Sequence, residues 1–138
     1  MPLVDSNQII RAYLVTQPLL TALIGGVNPR IYCPRLPDNV TLPAISFNTR
    51  GGMSNATRTN TIIPSVQFTC WDDDPIDARV IYNKLYDALQ GIQYTLVVVG
   101  LNTYYILGAE EEVIGQDIQD EVPGYFKVLT FFQIMIQE

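Results

Sequence analysis

The residues able to do chemistry are few, and the acidic ones are clustered. Asp72, Asp73 and Asp74 form one run, and Glu110, Glu111 and Glu112 form another. Carboxylate oxygens can hold a divalent cation or move a proton. The first run directly precedes Pro75 and an apolar-periodic segment, so it reads as the cap of a helix whose positive end it complements. In the second run, neighbours on an extended chain point to alternate sides and do not converge on one ion. The chain contains no histidine. That removes the imidazole base on which serine and cysteine nucleophiles usually rely, and the usual nitrogen ligands of catalytic zinc. Cys33 and Cys70 form no CxxC pair, and with no sign of secretion both are expected to be free thiols. No GxxxxGK or GxGxxG phosphate loop occurs; Gly25-Gly26 and Gly51-Gly52 are too short for either. Tyr104, Tyr105 and Tyr125 lack the interleaved cations of a base-stacking surface and read as core or interface aromatics. We therefore expect no catalytic residue, no cofactor and no metal.

The elements that would position these residues follow from periodicity. Asp5 or Ser6 can cap a first helix that faces the core with Ile9, Ile10, Tyr13 and Leu14. Pro18 interrupts it or opens a short second helix, and Gly25-Gly26 closes the region. Four prolines punctuate residues 27–43, with "RIYC" a short extended piece between them. "PAISFNTR" and "PSVQFTCW" alternate as half-buried strands, joined by the polar "GGMSNATRTN", which reads as a flexible connection. The clearest helix starts with Asp74 as cap and Pro75 at its first position. It carries Ala78, Ile81, Tyr82, Leu85 and Leu89 as a stripe, and Gly91 ends it. "YTLVVV" and "TYYIL" form a hairpin around Gly100-Leu101-Asn102. "GAEEEVIGQDIQDEVPG", acidic with no basic residue, is expected to be a solvated loop or projecting arm. "YFKVLTFFQIMIQ" is a final strand, apolar on both faces, that wants neighbours on both sides and cover on both faces. The expected fold is α+β, a mostly antiparallel sheet with two main helices packed on one face.

A chain of 138 residues that is 48% hydrophobic suits one domain spanning residues 1–138 and can bury a sizeable core. A net charge of −6 disfavours a basic surface that tracks nucleic-acid phosphates. No run approaches the ~20 apolar residues of a membrane span, and the N-terminus lacks a signal-peptide pattern, so the expected product is soluble and made in a reducing cytoplasm. Charge is segregated along the chain. Arg30, Arg35, Arg50 and Arg58 lie in the first half around loops, and the acidic segment beginning at Glu110 lies in the second. The arginines either keep the surface solvated and pair with the acidic half of the chain, or meet Glu110, Glu111 and Glu112 of a neighbouring copy across an interface.

One ordered series of segments carries further. "LLTALIGG", "RIYCPRLP", "TLPAISF", "GG", "PSVQFTCW" and "DARVIYNKLYDALQG" follow one another from Leu19 to Gly91. In order and spacing this resembles the small tail terminator or tail completion proteins of tailed bacteriophages. The sequence departs from that pattern in "FTCW", where an acidic residue often precedes the aromatic, and in its long acidic segment. The resemblance implies a structural virion protein, made in the host cytoplasm, that forms a ring, commonly a hexamer, at the head-proximal end of the tail. Such a ring ends polymerisation of the tail tube protein and joins the tail to the head–tail connector and neck proteins, with DNA only passing through its lumen. It implies no active site and no membrane partner. The alternatives from the residues alone are a small cytoplasmic enzyme or a monomeric binding module with an acidic, Tyr-lined site.

Overall fold

The computed structural model describes residues 5–37, 40–54, 61–119 and 125–137. Helix α1 (Ser6–Leu14) starts where Asp5 Oδ1 accepts from the backbone N–H groups of Asn7 and Gln8. A single turn, α2 (Pro18–Thr21), opens with Pro18 at its first position. The strands are β1 (Ile31–Tyr32), β2 (Ala44–Ser54), β3 (Thr61–Asp72), β4 (Gln93–Val99), β5 (Asn102–Gln119) and β6 (Phe126–Gln137). Helix α3 (Pro75–Leu89) lies between β3 and β4 in the chain. Its cap is Asp74, whose Oδ1 accepts from Ile76 N–H at 2.8 Å, so the acidic run does serve a helix start.

The six strands form one sheet in the order β1-β2-β3-β6-β5-β4. Only β1 and β2 run parallel; every other pair is antiparallel. The fold is α+β, as the alternating strands and the striped helix predict. Strand alternation sends Ile45, Phe47, Val66, Phe68, Cys70, Val128, Phe132, Ile134 and Ile136 to one face, where all are buried. Helices α1 and α3 cover that face, and a Tyr13 hydroxyl-to-Ala88 carbonyl hydrogen bond ties one to the other. The stripe Ala78, Ile81, Tyr82, Leu85 and Leu89 is buried against the sheet. Leu85 is 0% exposed, so Leu85→Ala should cost about 2–5 kcal/mol, lost transfer energy plus a cavity. Denaturant melts shifted by less than half of about 1 kcal/mol would contradict that packing.

Two sequence expectations are corrected. The acidic segment, as far as Gln119, is neither loop nor arm; residues 120–124 lie outside the described residues. Residues through Gln119 continue β5 and pair with β6, so an 18-residue strand runs through the carboxylates. The polar connection after Arg50 also begins as strand. Strand β2 continues to Ser54, and β3 starts at Thr61, before Pro64. Proline is tolerated inside β3 because Pro64 stands opposite Gly52, where the ladder with β2 shifts register. Residues 55–60 of that connection, with Arg58, lie outside the described residues. The short second helix that Pro18 could open is present as the one-turn α2. Cys33 and Cys70 are free thiols, the second fully buried. No helix among the described residues is long and apolar enough to cross a membrane.

Candidate functional site

The face of the sheet opposite the helices carries the side chains left over from the core. At one end Trp71 donates from Nε1 to Ser46 Oγ at 2.9 Å, stacks edge-on with Tyr125, and lies under Lys127 Nζ. In the middle the Arg50 guanidinium sits 4.2 Å over the Phe131 ring. At the other end Leu96 and Val98 of β4, Tyr105 of β5 and Met135 of β6 are exposed. A strand with side chains like those of β6 wants cover on both faces, and among the described residues helices pack on one of them.

Alternation along β5 separates the three consecutive glutamates. Glu110 stands opposite Gln133, and Glu112 accepts from Ser65 Oγ at 2.8 Å, so both belong to the open face. Glu111 points to the helices. Its Oε2 accepts from the Tyr82 hydroxyl and from Thr130 Oγ1, each at 2.7 Å. Burial, and after it the hydrogen bond to Glu111, raises the Tyr82 phenol above its ordinary pKa. Glu111 is thus an internal acceptor in its own chain.

Beyond Gly108 the outer edge of β5 has no strand beside it, and helix α3 supplies the missing partners. Gly91 N–H donates to Ala109 O, Gln90 Oε1 accepts from Glu111 N–H, and the Tyr82 hydroxyl accepts from Gly115 N–H. Arg79 donates to Gly115 O and pairs with Asp117 at 3.4 Å. Gly115 is required by this closeness, since a Cβ there would lie 2.8 Å from the Tyr82 ring and from Val128. Side-chain caps of this kind satisfy a sheet edge as a strand would. Sequence reasoning missed Arg79, Gln90 and Thr130, and saw Tyr82 only as an apolar stripe residue. Their roles depend on partners roughly 20 to 40 positions away in the chain.

The arginines separate too. Arg30 Nε donates to Pro43 O at 2.7 Å, pinning the loop that carries β1 beside β2. Arg35 is exposed at a shallow depression it shares with Arg11, Tyr32 and Cys33. Arg50 lies on the open face. Among the described residues the one ion pair is Arg79–Asp117, so Arg30, Arg35, Arg50, Glu110, Glu111 and Glu112 are not brought together within the chain. Also among the described residues, no three His, Cys, Asp or Glu side chains converge as metal ligands do.

Asp72, at the end of β3, is 5% exposed, and burial first, then a side-chain hydrogen bond with Asp73, pushes its carboxyl up to about 6 against the lowering pull of the Asp73 backbone N–H. A raised pKa means that the folded state binds the proton more tightly than the unfolded chain. The burial penalty is absent below about pH 4 and complete above about pH 6. Stability should therefore fall as pH rises from 4 to 6, by on the order of 2 kcal/mol from this group. Asp72→Asn should flatten that slope in urea melts taken across the same interval. An unchanged slope would show that Asp72 ionises freely in the folded protein.

One mixed six-stranded sheet with its helices packed on one face defines the class, an α+β fold. Against known proteins, no family model matches, and no curated protein matches. Among solved structures the chain shares its fold with a chain of the virion of native gene transfer agent (GTA) particle. The TM-score is 0.67 at 14% identity, with 96% of this chain and 95% of that chain covered.

Proposed function

We propose that this chain is a structural virion protein that closes into a ring, of six copies, at the head-proximal end of a phage tail. There it ends polymerisation of the tail tube protein and docks the head–tail connector. The observation that carries the reading is the fold shared over nearly the whole of both chains with a virion component. The ordered segments from Leu19 to Gly91 point the same way. Ring subunits need two different complementary patches, and the charges of Arg35, Arg50, Glu110 and Glu112, without an ion pair among the described residues, suit such a role. A lumen that lets DNA pass is better acidic or neutral than basic, since each cation on a phosphate adds affinity through counterion release.

Native mass spectrometry with negative-stain images tests the assembly. Closed six-membered rings are expected, and a monomer at all concentrations would overturn the reading. Antibody labelling of purified particles tests the location, which should be the junction of tail and head; label elsewhere on the particle would overturn it. Reversing Glu110 and Glu112 to Lys separates two placements. Loss of rings would put them between neighbours, and intact rings with slowed DNA ejection would put them at the lumen. Glu111 is left out because its reversal would strand Tyr82 and Thr130 inside the fold.

A further inference from the structure

Strand β5 changes character along its length. Around Ile106 it lies between β4 and β6, and Ile106 and Ala109 are 0% and 2% exposed. Across residues 111–118 no side chain is buried, and Val113 and Ile114 turn apolar groups to solvent. The ladder to β6 shifts register twice there, between Glu111 and Val113 and again between Val113 and Gln116. Each such irregularity leaves backbone unpaired and weakens the ladder locally. At the far end a cavity of about 240 Å³ is lined by Ala78 of α3, Asp117 and Ile118 of β5, and Phe126 and Val128 of β6. Packing there is thin.

Side chains hold what packing and ladder do not. The Tyr82 hydroxyl donates to Glu111 Oε2 and accepts from Gly115 N–H, so one phenol of α3 ties two points of β5. Thr130 Oγ1 of β6, itself 0% exposed, lies 2.7 Å from Glu111 Oε2 and 2.8 Å from Val113 O, at the first register shift. Arg79 holds Gly115 O and Asp117 further along. A single carboxylate oxygen thus joins α3, β5 and β6. Hydrogen bonds that share an atom in this way strengthen one another, and loss of one loosens the rest.

We infer that residues 111–119 form a strap that lifts from the sheet as a unit while the rest of the fold stays closed, and that Tyr82, Glu111 and Thr130 are its clasp. Segments with few buried contacts open at a lower free energy than the core and do so cooperatively. The strap meets that condition on burial and on ladder, whereas the first half of β5 meets neither. Opening exposes little apolar surface, so its cost is set by the hydrogen bonds of the clasp. Because the strap carries Glu111, Glu112 and Asp117, its opening moves three carboxylates relative to the sheet. The device is complete within one copy, so it stands or falls apart from the ring reading.

Amide hydrogen exchange of the full chain, resolved to short fragments by mass spectrometry across a urea series, tests the strap. Its amides should exchange at least about tenfold faster than those of residues 66–70 in β3, through an opening that depends only weakly on urea. Ile45→Val trims the core at β2, far from the clasp. It should speed β3 exchange about fivefold through global unfolding and leave the strap within about twofold of the wild type. Tyr82→Phe keeps the ring over Gly115 and removes the hydroxyl. It should speed exchange about tenfold at Gln116, Asp117 and Ile118, which form no hydrogen bond with Tyr82. Strap and β3 amides that share one urea dependence, and that Ile45→Val speeds equally, would overturn the strap. A strap that opens alone but ignores Tyr82→Phe would overturn the clasp.

Discussion

Phe68→Ala is expected to lower the free energy of unfolding by about 3–5 kcal/mol, the largest loss from any single truncation proposed for this chain. Phe68 is 0% exposed, and its ring centroid lies 5.7 Å from those of both Phe47 and Phe132. The three rings belong to β2, β3 and β6, so one side chain joins the three strands at the middle of the sheet. Truncation removes a large apolar surface, leaves a cavity that rigid strands cannot close, and ends two aromatic contacts worth about 0.5–1.5 kcal/mol each beyond their area. Urea unfolding followed by tryptophan fluorescence reads the change, since Trp71 lies three residues along the same strand. A loss below about 1 kcal/mol would mean that the core does not centre on these rings.

The second large effect concerns backbone. Gly52→Ala should cost about 3 kcal/mol or more, whereas Gly51→Ala should cost only about 1–2 kcal/mol. Both glycines have positive φ, +92° at Gly51 and +130° at Gly52, so alanine is strained at either. Their surroundings differ. A Cβ at Gly51 meets nothing within 4 Å, but one at Gly52 would lie 2.3 Å from Ile63 O and 2.6 Å from Pro64 Cα. Those atoms are backbone of the paired strand and cannot swing aside as a side chain does. Separate urea melts of the two variants provide the comparison. Equal losses would show that β3 does not press on the bulge. The bulge also ends the straight part of β2 just after Arg50.

The sequence by itself determined the elements whose signals are short-range. Asp5 and Asp74 cap helices because a side-chain oxygen reaches N–H groups two or three residues away. Pro18 and Pro75 sit at first helical positions because only there does the missing N–H cost nothing. The stripe from Ala78 to Leu89, the alternation of Val66, Phe68 and Cys70, and the hairpin at Gly100-Leu101 all record which side faces oil and which faces water. From these the α+β class followed. What only the tertiary structure decided depends on partners far along the chain. The acidic segment is a strand because β6 pairs with one of its edges and Arg79, Tyr82 and Gln90 of α3 serve the other. Nothing local in "EEEVIGQD" announces those donors and acceptors. Gly51-Gly52 became a bulge and not a linker because β2 and β3 go on pairing past it, with Pro64 opposite Gly52. The Glu110, Glu111 and Glu112 run was legible as residues of one charge, and the pleat then divided it, giving Glu111 to the interior and leaving Glu110 and Glu112 on the open face. Charge and type are properties of a residue, while face, edge and partner are properties of the assembled sheet.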